Sequence, residues 1–280
     1  MKKQYRLGIN LLGDPQREPF TEQLEMLKAV GWEAFFTVWE PEQTDTLAEQ
    51  AARLGLVYQS IHAPCKRSPL LWRPGSEGDA AADELVNCVT DCGRHGIPVT
   101  VIHPCIGYNF PPLSDIGLRR FARVIETAER YGVTVGFENL EGEEYLAAVM
   151  NAFGDSPACG FCFDTGHERC HNHGRDMMAL YGEKLCMTHL NDNLGRIMPE
   201  DDTSLWGYND LHLPPGDGIV NWKSVMDRID ASPYQGPLMC ELKLHNFPGR
   251  HEHDAYRAMP LIDFYTLALK RAKQVRDRAL

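Results

Sequence analysis

Apolar residues recur along this chain in two alternating patterns, short β-rich runs and stretches of helical spacing. The runs fall at 5–12, 32–39, 56–62, 98–103, 134–139, 158–165, 184–190 and 237–244, and they predict eight strands. Between them the spacing predicts helices over 18–30, 42–54, 79–94, 115–131, 143–152, 175–181 and 221–230, with a long one from about 254. In 115–131, Leu118, Phe121, Ile125 and Ala128 repeat on one face, with Ser114 placed to cap the start and Gly132 to stop the end. Val30-Gly31-Trp32, Leu54-Gly55-Leu56 and His95-Gly96-Ile97 repeat the same helix–glycine–strand join. Strands alternating with helices pair in parallel through right-handed crossovers. Eight such units in 280 residues predict an α/β fold, one (β/α)8 TIM barrel over 1–280, near the roughly 250 residues usual for such barrels. The irregular stretch 193–218 reads as a loop within that domain.

Composition changes this picture little. A hydrophobic share of 43% and a charged share of 24% are those of an ordinary soluble chain. No run approaches the roughly 20 apolar residues that cross a bilayer. The start, MKKQYRLGINLLGD, is basic then apolar, but its run is too short for a signal peptide and reads as a first strand. A cytoplasmic protein is expected. Nine cysteines, an odd number without a framework spacing, fit a reducing compartment. Cys159 and Cys162 are expected on opposite faces of a strand, and Cys88 and Cys92 on the apolar face of a helix. A net charge of −11 disfavours binding duplex DNA through its phosphates. No G-x-G-x-x-G or P-loop pattern occurs, so no nucleotide cofactor is expected.

The chemistry gathers where the strands end, the functional face of a barrel. Strand ends carry His62, His103, Glu138, Asp164 with His167, His189 and Glu241, and the loop after strand seven carries Asp210 and His212. Carboxylates buried together repel, and burial of each is costly unless a cation compensates. Glu138, Asp164 and Glu241 would meet in one cavity, and His189 completes a mixed N/O set. That set suits one divalent ion, Mn, Zn, Co or Mg.

In order, the segments IHAP, IHP, FEN, FDTGH, HLND, DLHLPPGDG and CEL span 61–242. Together they resemble the xylose isomerase-like TIM-barrel superfamily, which holds sugar and sugar-phosphate isomerases and epimerases and endonuclease IV. The resemblance is to the ketose 3-epimerase branch in particular. It implies Glu138, Asp164, His189 and Glu241 as metal ligands, with Glu138 and Glu241 also the catalytic pair. It further implies substrate contacts from His167, Glu144 and Arg196, and from His62, His103, Asp210 and His212. The implied reaction is proton transfer next to a ketose carbonyl through a metal-stabilised enediolate. The implied partner is a small sugar or sugar phosphate, without nucleic acid or membrane; relatives often form homo-oligomers.

Two other readings stay open on the same residues. One is a related metal-dependent lyase or dehydratase acting on a keto-polyol. The other is a three-zinc endonuclease on abasic DNA, with His62, His103 and Glu138 on one ion and His167, Asp210 and His212 on another. The segment 65–73 (CKRSPLLWR) offers basic and aromatic residues for a phosphate backbone, whereas Met198-Pro199-Glu200-Asp201-Asp202 is acidic. Lys66, Arg67, Arg73, Arg196 and Lys243 are candidates for a substrate phosphate. Trp39, Trp72, Tyr108, Phe110, Trp206 and Tyr208 are candidates for stacking on a sugar. His171, His173, His251 and His253 are expected to be mostly exposed.

Overall fold

A computed structural model describes residues 3–14, 17–196 and 207–280. The acidic segment 198–202 and Trp206 lie outside the described residues. The strands are β1 (Leu7–Asn10), β2 (Ala34–Val38), β3 (Val57–His62), β4 (Val99–Ile102), β5 (Thr134–Glu138), β6 (Cys159–Asp164), β7 (Leu185–His189) and β8 (Leu238–Cys240). They form one sheet in the order β7-β6-β5-β4-β3-β2-β1-β8. Every named pairing is parallel. The sheet curls until β7 meets β8, where the seam is a single parallel bridge, Leu190 to Cys240. Two backbone bonds make it, Leu190 N–H to the Met239 carbonyl (2.8 Å) and Glu241 N–H to the Leu190 carbonyl (3.2 Å). The result is the expected (β/α)8 barrel.

The helices are α1 (Phe20–Val30), α2 (Pro41–Leu54), α3 (Ser68–Leu71), α4 (Ser76–Arg94), α5 (Asp115–Tyr131), α6 (Glu143–Phe153), α7 (Thr165–Cys170), α8 (Met177–Tyr181), α9 (Trp222–Ala231), α10 (Asp254–Arg257) and α11 (Leu261–Asp277). Ser114 caps α5, its hydroxyl accepting the Gly117 N–H (3.2 Å), and Gly132 ends it at φ 68°. The same left-handed glycine ends α1 and α2. The long C-terminal helix expected from 254 is in fact two. Pro260 lacks an N–H and disfavours a helical residue before it, so α10 stops and α11 starts afresh. The short α3 and α7 were not anticipated; each has too few residues for a helical period to register.

Strand alternation divides the apolar residues into two cores. Ala34, Phe36, Val99, Val101, Cys162, Met187 and Met239 fill the barrel. A larger set, including Leu24, Phe121, Val124 and Phe264, packs the helices onto the outside. Each such side chain contributes roughly 1.5–3 kcal/mol by burial. Cys162 is in the inner core and Cys159 in the outer, as the spacing required, and both are free thiols. Cys88 and Cys92 lie on the buried face of α4. Among the described residues no helix is long and apolar enough to cross a membrane.

Candidate metal centre

Above the inner core, the last inward position of each strand or the residue just past it is Asn10, Val38, His62, His103, Glu138, Asp164, His189 and Glu241. Period-two alternation places them in one ring at the barrel mouth. Ligand atoms of Glu138, Asp164, His189 and Glu241 all lie within 4.8 Å of one another. Glu138, Asp164 and His189 are fully buried, while the Glu241 side chain keeps 15% exposure. His189 Nδ1 stands 2.7 Å from Glu138 Oε1 and 3.1 Å from Glu241 Oε2. Phe36 stacks on the His189 ring at 4.8 Å, so the inner core forms the floor.

Asp164 is set by three elements. As N-cap of α7 it accepts the His167 N–H (2.6 Å) on Oδ1, and on Oδ2 it accepts the Asn191 amide (2.6 Å). Asn139 pins its backbone at both N–H (2.8 Å) and carbonyl (2.9 Å). The turn has no room for a side chain at Gly166, where a Cβ would fall 1.9 Å from Asn191 Oδ1. Glycine there is a packing requirement.

Two histidine groups flank the four. On one side His103 Nε2 is 2.8 Å from Glu138 Oε2 and 3.0 Å from His62 Nε2. On the other, Asp210 Oδ1 takes His167 Nε2 (3.1 Å) and His212 Nε2 (2.7 Å), while its Oδ2 takes Lys243 Nζ (2.6 Å). His212 sits at φ 50°, a costly backbone for a non-glycine residue. The Asp192–Leu213 bridge and the bond from Lys243 N–H to its carbonyl (3.2 Å) hold it there.

Charge explains the proton affinities. Burial would raise Glu138, yet His189 and His103 hold it well below the usual carboxylate range. Burial likewise opposes, but His212, Lys243 and His167 overcome, to keep Asp210 ionised. In Asp164 burial prevails over His167 and His212, and its affinity rises. Against burial, Asp164 and Asp210 lift His167 to about 10. Glu241 is lowered, with His189 and His212 prevailing over burial.

Other anticipated contacts fall elsewhere. Glu144 is exposed on the first turn of α6, and Arg196 is exposed against His173 (2.5 Å). Glu141, which sequence reasoning missed, is buried, with Oε2 3.5 Å from His171 Nε2. His171 and His253 are buried rather than exposed, because the loops carrying them fold back against the barrel. The His171 ring lies 5.2 Å from that of His167, tilted by 59°, and His253 Nε2 bonds the Leu211 carbonyl (2.9 Å). Trp72 is a core residue, its indole N–H on the Pro104 carbonyl (2.8 Å), and Tyr208 stacks on Phe247. Trp39 does line the mouth. Asn191 and Asp192 were also missed as participants. The Asp192 carboxylate accepts the N–H groups of Gly216 (2.8 Å) and Val220 (3.0 Å) and the Trp222 indole (3.1 Å), ordering the loop that presents His212. Their only sequence signal is an Asn–Asp pair two residues after His189.

A (β/α)8 barrel with ionisable side chains ringing the C-terminal ends of its strands is the class this fold and site define. The chain belongs to the family described as xylose isomerase-like TIM barrel, whose model matches residues 22–261. An uncharacterised protein of Methanocaldococcus jannaschii is 26% identical over 206 residues, covering 65% of this chain and 64% of its own length. The chain thus spans less than two thirds of that curated relative. A D-tagatose 3-epimerase-like protein shares the fold over 98% of this chain and 100% of its own, with TM-score 0.72 and 19% identity. L-ribulose 3-epimerase does so over 99% and 97%, with TM-score 0.71 and 16% identity.

Proposed function

We propose that the chain is a divalent-metal-dependent isomerase or epimerase of a sugar or sugar phosphate. The observation that carries this is the convergence of Glu138, Asp164, His189 and Glu241 within 4.8 Å at the barrel mouth. The donor set fits a divalent ion: three carboxylates and one imidazole, on a fully buried side that only cationic charge makes tolerable. An ion held there supplies polarisation of a ketose carbonyl and its neighbouring hydroxyl, acidifying the C–H between them. Glu241, whose carboxylate opens onto the cavity, takes that proton. Glu138 lies across His189 from it and relays a proton from His103, 2.8 Å from its Oε2, to the other side of the carbon, which inverts it. Return to the adjacent carbon interconverts aldose and ketose instead. Asp210, held ionised, orients His167 and His212 toward substrate hydroxyls. Membership of a family whose structural relatives include ketose 3-epimerases supports the same reading.

The test is exchange of substrate C–H for deuterium in heavy water, with ketopentoses and ketohexoses and added Mn²⁺ or Co²⁺. Exchange that Glu241→Gln abolishes is expected. Full exchange by that variant would remove the two-base mechanism. One observation favours the nuclease reading: His62, His103 and Glu138 offer a second ligand cluster. Metal stoichiometry separates the two. About one ion per chain fits the sugar enzyme, whereas about three zinc ions would turn attention to abasic DNA.

A further inference from the structure

We infer that the substrate is amphipathic, a keto-sugar bearing an apolar aryl or alkyl group that seats on Val38, Trp39 and Pro64. This rests on the isomerase reading and supplies the half of the substrate that it leaves open. The ring of strand-end residues is polar at every position but one. Seven strands end inward on Asn, Asp, Glu or His; β2 ends on Val38. Val38 is also 51% exposed, although Ala34 and Phe36, inward on the same strand, belong to the inner core. One exposed apolar side chain is ordinary on a surface; Val38 counts here because it lines the same cavity as Trp39 and Pro64.

The neighbours extend that surface rather than interrupt it. Trp39 is fixed at both ends, its backbone N–H on the His62 carbonyl (3.0 Å) and its indole N–H on Asp91 Oδ2 (3.0 Å). Its donors are thereby spent, and the ring is a wall. Pro64 continues it two residues after His62, which pairs with Val38 in register. The side chains of Val38 and Pro64 and the committed indole of Trp39 offer a sugar hydroxyl nothing, and one placed against them would lose water at a cost. Of the cations lining this cavity, Lys243 is tied to Asp210, Arg67 bonds the Glu77 carbonyl (3.1 Å) and Lys66 is exposed. Space agrees. The cavity shared by this wall and by Glu241 and His212 measures about 650 Å³, inside the ~300–1,000 Å³ usual for small-molecule sites.

The experiment is calorimetric titration of the manganese-loaded protein with methyl and phenyl 3-keto-β-D-glucosides, beside deuterium exchange of both followed by NMR. The phenyl glycoside should bind about tenfold more tightly. Val38→Ser and Val38→Asp should each cut that advantage to about twofold or less, and the half-exposed position lets both fold. Equal affinities in the parent protein, or an advantage that survives both variants, would overturn the inference. If the methyl glycoside still exchanges in that case, the isomerase reading stands. No binding and no exchange with either compound overturns the inference alone, and exchange with ketopentoses and ketohexoses then decides the isomerase reading.

Discussion

Glu138 and Glu241 have the same functional group in two settings, and the difference assigns their roles. Both Glu138 oxygens are engaged, by His189 and His103, in a side chain with no exposure, whereas Glu241 reaches the cavity. Glu241→Gln should therefore cost kcat about a thousandfold while substrate still binds, measured by exchange rate and calorimetry together. Glu138→Gln should weaken binding of Mn²⁺ as well, because it also removes a deeper ligand. A residue away from this cluster reports on pH. His253 donates from Nε2 to the Leu211 carbonyl, its Nδ1 has no partner among the described residues, and burial pushes it down to about 4. Above its ordinary value of 6.5 the ring is neutral in both folded and unfolded chains. Below 6.5 the unfolded chain takes up a proton that the folded one refuses until about 4, so stability falls across that window. His253→Gln keeps a donor for Leu211 and should flatten the decline in urea midpoints between pH 7 and pH 4. An unchanged slope would place its origin elsewhere.

At the scale of elements, α7 is the piece on which the site depends most and the one sequence reasoning did not see. Six residues long, it holds Asp164 at its N-cap and His167 in its first turn. Its anchor is Glu168, buried, paired with Arg228 of α9 at 2.7 and 2.9 Å. Arg228→Met leaves that buried carboxylate with only the Met177 N–H (3.2 Å) and should cost about 3 kcal/mol in urea unfolding, with weaker Mn²⁺ binding from the loosened cap. Ser114→Ala, at the capped start of α5, should cost only about 1 kcal/mol and leave metal affinity unchanged. The eight strands and their ionisable ends were legible because inward positions recur every second residue and glycines mark the joins. Convergence from loops was not legible. Glu141 and Glu144 lie one turn apart around Gly142, and only its φ of 73° turns the first inward and leaves the second on the surface. The roles of Asn139 and Asn191 depend on Asp164, 25 and 27 residues away, which no local pattern announces.

For the molecule as a whole, a cation held by native ligands stabilises by mass action. At a thousand times its dissociation constant it adds about 4 kcal/mol, so chelation should lower Tm by about 10 °C, and adding the ion back should restore it. A Tm indifferent to chelation would argue against a structural metal. The barrel's seam gives this a direction. Elsewhere neighbouring strands share three or more register positions, whereas β7 and β8 meet at the one Leu190–Cys240 bridge. His189 and Glu241 stand on either side of that bridge, each one residue from it. An ion gripping both would work as a clasp across the loosest joint of the hoop, turning an open-ended curl of strands into a ring locked by its own cargo. Amide exchange at Leu190 and Glu241 would then slow before any other backbone position noticed, and the barrel would keep a mechanical record of whether its chemistry is armed.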